Sequence, residues 1–386
     1  MMKKVCFITS TRADYGLLKH LMLRVRKSKK LKLQIIATAM HLEDEFGLTI
    51  KSIENDGFKV NKKISNILLN NSSTGIIKSA AVGMLGYADA FNELKPDVIF
   101  VLGDRYEIFT ASFSSLVSNI PICHYSGGEV TEGAYDDSLR HSITKMSNYH
   151  FVSAGEYRKR VIQLGENPKR VFLVGSLGNE AIRLTNRFNK KTVEKLLKVK
   201  FRNKSLLITY HPETNSITDP SKAIREIISA LEKLKDTTLI FTLPNHDKRS
   251  EKIKNIINEF CRIHNSAFLY KSLGQKLYFS MIKIVDGVIG NSSSGLTEVP
   301  LLNKGTINIG SRQKGRISSP SVINCISRKK AIELSLKKLY SKDFQCLLKK
   351  SRVKNKNSEP SELILKTLEK TDFKTNKYKK FYDIRV

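Results

Sequence analysis

Short apolar runs recur along this chain at intervals that leave room for one helix each. Residues 5–9, 33–39, 98–102, 120–125, 149–152 and 171–174 are β-branched or aromatic runs of strand length. After the first of them Leu17, Leu18, Leu21, Met22 and Val25 repeat at helical spacing. Helices are also predicted over 43–56, over 73–94 up to Lys95-Pro96, after Asp104, and from Tyr135 onward, with a short strand near 58–64. The run 98–102 is continuously apolar, as in a strand covered on both faces. Strands alternating with helices predict a parallel, doubly wound sheet.

The pattern then restarts. Residues 175–204 read as a largely helical, basic bridge, and strands follow at 205–210, 238–243, 267–270, 284–289 and 306–309, with helices over 223–234 and 251–263. The expected architecture is α/β, with two doubly wound Rossmann-like domains facing across a cleft. The expected boundaries are 1–178 for the first domain, 179–360 for the second, and 361–386 for a terminal helix and basic tail. A length of 386 residues, beyond what one core usually fills, agrees with two domains.

In doubly wound sheets, ligands bind just beyond the carboxyl ends of the strands. Polar clusters fall there: Arg12 and Asp14 after the first strand, residues 104–107 after 98–102, and residues 126–129 after 120–125. In the second half the run 285–289 empties into Gly290-Asn-Ser-Ser-Ser-Gly-Leu-Thr-Glu298. A small-residue turn that opens a helix presents unpaired N–H groups and the positive end of the helix dipole, which suit a phosphate. Glu298 one turn on suits a pair of sugar hydroxyls. The competing reading is a polar turn with a helix cap.

Composition narrows the function classes. Hydrophobic content of 40% and charged content of 27% describe a globular chain, and no apolar run reaches the roughly 18 residues of a membrane span. The N-terminal apolar run stops at Ile8, too early for a signal peptide, and reads as a strand. Five scattered cysteines without a C-x-x-C pair suggest free thiols in a reducing cytoplasm. The net charge of +31 has two readings, a nucleic-acid footprint or a field that attracts small anions. From residue 321 onward 18 lysines and arginines face 7 acids, but lysine dominates and aromatics are not interleaved, which favours a solvated basic surface over a nucleic-acid partner.

Asp104, Glu129, Asp136 and Asp137 are the carboxylate candidates for proton transfer, since neighbouring carboxylates can divide acid and base roles. An N-cap role competes for Asp104, a surface role for Glu107, and an i,i+4 ion pair for Asp136 and Arg140. His211, before Pro212 at a strand exit, suits a phosphate or a proton shuttle, whereas His20, His246 and His264 read as surface residues. The histidines form no metal-ligand pattern. No G-x-G-x-x-G follows the first strand and no G-x-x-x-x-G-K-[ST] occurs, which disfavours a dinucleotide enzyme or P-loop ATPase.

Seven segments in order carry a family resemblance: Thr11-Arg-Ala-Asp-Tyr-Gly16, Leu102-Gly-Asp-Arg-Tyr-Glu107, Gly127-Gly-Glu129, Arg140-His-Ser-Ile-Thr-Lys-Met146, Tyr210-His-Pro-Glu-Thr214, Gly290-Asn-Ser-Ser-Ser-Gly295 and Arg312-Gln-Lys-Gly-Arg316. Together with the terminal Phe381-Tyr-Asp-Ile384, they make the chain resemble the hydrolysing UDP-N-acetylglucosamine 2-epimerases of bacterial sialic acid synthesis. The resemblance implies a glycosyltransferase-B-like fold, no cofactor or metal, and a homodimer or homotetramer. It implies that Ser292, Ser293 and Gly295 hold the diphosphate, that Glu298 binds the ribose, and that Arg12, His211 and Arg312 complete the anion site. Asp104, Asp136, Asp137 and Arg140 would surround the sugar. Several relatives carry a glutamate where this chain has Ser126, so the resemblance leaves Glu129 or the Asp136/Asp137 pair to supply that proton-transfer group. The implied reaction eliminates UDP to a 2-acetamidoglucal and then adds water, releasing N-acetylmannosamine. A UDP-2,4-diacetamido-2,4,6-trideoxyglucose substrate, on the legionaminic acid route, and a glycosyltransferase of the same fold remain as alternatives.

Overall fold

The computed structural model describes residues 2–68, 72–214, 219–350, 359–375 and 378–384. Backbone contacts divide the chain into two units, one of residues 1–129, 136–181 and 357–386, the other of residues 130–135 and 182–356.

The first unit is built on seven parallel strands: β1 (Lys3–Thr9), β2 (Leu31–Thr38), β3 (Lys62–Ile64), β4 (Val98–Leu102), β5 (Ile122–Tyr125), β6 (Tyr149–Val152) and β7 (Val171–Leu173). Their spatial order is β3-β2-β1-β4-β5-β6-β7, so the winding reverses between β1 and β4. That switch point is where such a sheet opens a crevice at its carboxyl edge. On one face Phe7, Phe100, Phe151 and Phe172 stack in a row with centroid spacings of 5.0, 5.7 and 5.4 Å. The helix Arg12–Lys27 closes this face with Leu18, Leu21, Met22 and Val25. The helices Ser73–Leu94 and Tyr106–Val117 cover the other, where Tyr87, Phe91 and Ile108 meet Ile8, Ile99 and Val101.

Two local expectations change here. The helix expected over 43–56 is broken into the 3-10 turn Asp44–Phe46 and a short helix, Ile50–Asn55. Gly47 and Leu48 adopt left-handed φ values of 87° and 45°, which no continuous α-helix accommodates. The terminal segment 361–386 does not stand by itself. Its helix, Pro360–Lys370, packs on Arg12–Lys27 and buries Ile364 and Leu368 in the same core. Arg24 bonds Glu359 and Glu362 at 2.8 and 2.6 Å, and Lys3 Nζ caps the carbonyls of Leu368, Glu369 and Thr371.

The second unit has six parallel strands: β8 (Lys204–Thr209), β9 (Thr237–Thr242), β10 (Ala267–Tyr270), β11 (Gly287–Gly290), β12 (Gly305–Ile309) and β13 (Val322–Cys325). Their order, β10-β9-β8-β11-β12-β13, reverses between β8 and β11. Strand β11 starts later than its apolar run because residues up to Ile284 belong to the helix Gly274–Ile284. The stretch 310–350, to which the sequence pattern assigns no elements, carries β13 and the helices Lys329–Tyr340 and Lys342–Lys350. The expected bridge, 175–204, consists of the helices Leu177–Leu184 and Lys190–Leu197, and the division between units falls inside the first of them. Most of the basic stretch expected over 349–360 lies outside the described residues. All five cysteines are unpaired, and among the described residues no helix is long and apolar enough to cross a membrane.

Candidate active site

At the end of β1 the chain wraps around one buried carboxylate. Asp14 accepts hydrogen bonds from the Ser10 and Thr11 amides at 3.1 and 3.0 Å, from both of their hydroxyls, and from the Thr9 hydroxyl. Thr11 returns a bond from the Asp14 amide, completing a capping box. Thr9 also meets His41 Nε2 at 2.9 Å, and burial pushes that imidazole down to about 3, so it stays neutral. This frame fixes Arg12 as the first residue of its helix, partly exposed at the carboxyl edge of the sheet.

Gly103, at a φ of 89°, turns the chain out of β4 and presents Asp104. Arg140, on the helix Asp136–Met146, is fully buried and gathers the surrounding groups. Its guanidinium donates to Asp104 Oδ2, to Asp137 Oδ1 at 3.0 Å and to the Glu129 carbonyl at 3.0 Å. Within the helix Arg140 pairs with Asp137 at i,i+3. Helical side chains lean toward the N-terminus, which brings the guanidinium over the preceding turn. Asp136 is buried beside it at the first helical position, where a carboxylate suits the helix dipole. Glu107, by contrast, is buried and clamped by Arg105 at 3.1 and 3.1 Å, so it holds the loop and does not face solvent.

Beneath this cluster His124 Nε2 lies 2.8 Å from the Gly103 carbonyl, and its Nδ1 lies 3.3 Å from Thr144 Oγ1. Burial pushes His124 down to about 3, so it is a neutral wedge that donates to the carbonyl just before Asp104. Ser126, two residues on, sits at a left-handed φ of 74° and sends the chain toward Gly127, Gly128 and Glu129, where Glu129 is partly exposed. Residues 130–135, between Glu129 and Asp136, belong to the second unit. There Glu132 pairs with Lys314 at 2.8 Å and the Tyr135 amide donates to Thr214 at 3.1 Å.

In the second unit Asn291 is the hub. Its side chain accepts from the His211 amide at 2.7 Å and donates to the His211 carbonyl at 2.8 Å, locking together the loops after the adjacent strands β8 and β11. Its own carbonyl takes Arg312 Nη1 at 3.2 Å and Gln313 Nε2 at 2.8 Å. His211 Nδ1 accepts from the Asn245 amide at 3.3 Å and lies 3.8 Å from Asp247. Glu213 accepts from the Ser311 amide and hydroxyl at 2.7 and 3.0 Å, which fixes the turn carrying Arg312. Ser292 and Ser293 lead into the helix Ser294–Leu301, whose start has no side-chain cap. An uncapped helix start flanked by Arg312 and His211 is suited to an anion.

Gly295 contributes differently from its serine neighbours. Its amide is bonded to the Ser292 carbonyl at 3.0 Å, and its carbonyl accepts from Thr306 at 2.6 Å. A Cβ there would lie 2.7 Å from Thr306 Cγ2, so this glycine lets the helix lie close to β12. Glu298 is partly exposed one turn on and accepts from Thr297. Gly290 is sterically stricter still. At a φ of 136° an added Cβ would lie 1.8 Å from the Thr209 carbonyl oxygen. Gly290→Ala is expected to cost several kcal/mol, about 1–3 for the backbone alone, and to abolish nucleotide binding. Thermal denaturation and UDP calorimetry check both.

The structure thus brings Asp104, Glu129, Asp137 and Arg140 together in the first unit, and His211 and Arg312 together around Asn291 in the second. Asn291, Asn245, Asp247, Glu213 and Gln313 are contributors that spacing does not single out. His246, expected at the surface, is buried next to Asp247. A polar Asn-His-Asp run two residues after a strand, at the carboxyl edge, was the available signal.

Two parallel doubly wound sheets, each with polar loops clustered at its carboxyl edge, define a Rossmann-like protein of the glycosyltransferase-B type. A family model described as UDP-N-acetylglucosamine 2-epimerase matches residues 23–367, and the chain belongs to that family. It is 42% identical over 384 residues to the GDP/UDP-N,N'-diacetylbacillosamine 2-epimerase (hydrolyzing) of Campylobacter jejuni, covering 99% of each chain. It is 39% identical over 391 residues to polysialic acid biosynthesis protein P7 of Escherichia coli, covering 99% of this chain and 98% of that one. The fold is similar to that of the UDP-GlcNAc 2-epimerase from Neisseria meningitidis solved bound to UDP-GlcNAc. The TM-score is 0.77 at 18% identity, over 95% of this chain and 100% of that one. The chain is an enzyme of the UDP-sugar 2-epimerase family.

Proposed function

We propose that this enzyme hydrolyses UDP-N-acetylglucosamine with inversion at C2, giving N-acetylmannosamine and UDP for a sialic acid route in the cytoplasm. The observation that carries the reading is the pair of carboxylates, Asp104 and Asp137, held on one buried arginine at the carboxyl edge of a doubly wound sheet. The chain-long similarity to a polysialic acid biosynthesis protein supports the biological route.

In this reading the Ser292–Ser293 turn with Arg312, His211 and Arg12 binds the diphosphate, Gly295 shapes the cradle, and Glu298 takes the ribose hydroxyls. Charge builds on the diphosphate as the C1–O bond breaks, and preorganised N–H donors and guanidinium groups stabilise it most at that point. The C2 proton leaves to a carboxylate of the set Asp104, Glu129, Asp136 and Asp137, with Arg140 fixing their geometry. Water then adds at C1 of the 2-acetamidoglucal while C2 is reprotonated on the opposite face. The strongly basic chain attracts the dianionic diphosphate. Homodimer or homotetramer assembly is part of the proposal. Ile77 and Leu85 on one helix and Phe113, Leu116 and Val117 on its neighbour expose a large apolar area that a second copy would cover.

A second reading has a specific observation behind it. The Campylobacter relative is named for N,N'-diacetylbacillosamine, which is 2,4-diacetamido-2,4,6-trideoxyglucose, with GDP or UDP as carrier. Steady-state kinetics on UDP-N-acetylglucosamine and on the UDP- and GDP-linked diacetamido sugar separate the two. The proposal expects kcat/KM for UDP-N-acetylglucosamine to lead by about 10-fold or more, the scale of one discriminating pocket contact. The reverse order establishes the second reading in its place.

A further inference from the structure

The helix Asp136–Met146 is tied down at both ends and in the middle. Arg140 binds its first turns to Asp104 and to the Glu129 carbonyl, and Thr144 meets His124. Its last turn is held by groups with no part in the proposed chemistry. Glu166, almost wholly buried, accepts from Lys145 Nζ at 2.8 Å, from His150 Nε2 at 2.9 Å, and from Lys379 Nζ on both oxygens at 2.8 and 2.9 Å. Lys379 Nζ also donates to the Ser147 carbonyl at 2.9 Å and approaches that of Thr144 at 3.4 Å. One ammonium from the C-terminal segment therefore caps open carbonyls at the end of the helix and neutralises the carboxylate beside it. The residues that follow complete the attachment. The Tyr382 amide donates to the Gly165 carbonyl at 3.0 Å, and the Phe381 ring lies under Lys145 Nζ at 4.7 Å, against Gly165, where a Cβ would meet it at 2.4 Å.

We propose that Lys379 is a positioning residue: the C-terminal segment clamps the last turn of this helix and thereby sets the place at which Asp137 and Arg140 meet Asp104. The proposal rests on the reading that this helix carries the chemistry. Arg140 stands five residues before Lys145, about 7.5 Å along a rigid rod, so a shift at the clamp is felt at the guanidinium. A displacement of about 1 Å at reacting groups is enough for a loss on the order of 100-fold.

Burial brings the Lys379 ammonium down to about 8, against the opposing pull of Glu166 and with Lys145 and Arg170 adding to the lowering. His150 is itself lowered by burial and faces Glu166 as a neutral ring. The clamp is therefore fully charged below that pH and loses its ion pair above it. The stability sign is opposite. A lysine lowered in the folded state releases its proton before the unfolded chain does, so between about 8 and the ordinary lysine value near 10.4 this group adds to global stability. A fall in rate through pH 8 without a fall in melting temperature thus reports the clamp and not unfolding.

The test uses the full chain, with Lys379→Met and Lys379→Arg beside the parent protein. Lys379→Met is expected to lower kcat about 10–100-fold, with UDP affinity unchanged and with faster hydrogen exchange over 136–146 but not over 294–301. Lys379→Arg is expected to restore kcat and to move the alkaline limb of the pH profile upward. If Lys379→Met does not fold, the alkaline limb of the parent against the arginine variant decides alone. Parental kcat and parental exchange over 136–146 in Lys379→Met, or an unmoved alkaline limb in Lys379→Arg, overturn the proposal. Should the parent protein turn over no nucleotide sugar, the functional reading fails, and the exchange comparison still decides the clamp.

Discussion

Asp104→Asn is expected to lower turnover of the nucleotide sugar by about 10²–10⁴-fold, the usual contribution of a positioned acid or base, while UDP binding stays intact. The substitution keeps the shape of the side chain and can still accept one bond from Arg140. It removes the charge and the proton-accepting oxygen at the switch point of the first sheet. Gly103 has already turned the backbone, and His124 holds the carbonyl before Asp104, so the loop has little reason to rearrange. Kinetics alongside UDP calorimetry check this. Turnover within a few-fold of the parent protein would mean that the chemistry belongs to Glu129 or the Asp136/Asp137 pair without Asp104.

Arg140→Met is expected to be worse for both activity and stability. Arg140 is fully buried, and its loss removes the guanidinium from Asp104, Asp137 and the Glu129 carbonyl at once. Breaking a buried ion pair from one side costs about 3–5 kcal/mol. The Asp104 and Asp137 side chains are 22% and 27% exposed, so water takes up part of the deficit and the lower end applies. At about 2–4 °C per kcal/mol for a unit of this size, the first unit should melt on the order of 10 °C lower. Arg140→Lys should recover part of the stability but little of the turnover, because one ammonium does not reproduce a fork that reaches two carboxylates and a carbonyl. Differential scanning calorimetry with kinetics on both variants checks the split.

The sheets were legible because parallel strands buried on both faces, such as Val98–Leu102, leave continuous apolar runs with little else to mean. The strand-end clusters were legible for the same reason: polar residues that follow such a run immediately are placed by the topology. What stayed hidden depends on side-chain direction and on long-range contact. Asp136 and Asp137 are adjacent in sequence, and the i,i+3 bond from Arg140 to Asp137 follows from helix geometry and not from spacing alone. Glu107 looks like a surface acid until Arg105 folds back over it. Asn291 sits in a motif whose serines draw attention, yet its side-chain amide holds the His211 backbone and its backbone carbonyl takes Arg312. Lys379 lies more than 200 residues from Glu166, and no periodicity links them.

The central claim is that UDP leaves by elimination and that water, not UDP, returns to C1. Following purified protein with UDP-N-acetylglucosamine in D₂O by NMR tests it most directly. The account predicts free UDP and free N-acetylmannosamine carrying deuterium at C2, because the proton removed in the elimination is replaced from solvent on the opposite face. A product still linked to UDP, or a free sugar with its original hydrogen at C2, would contradict it.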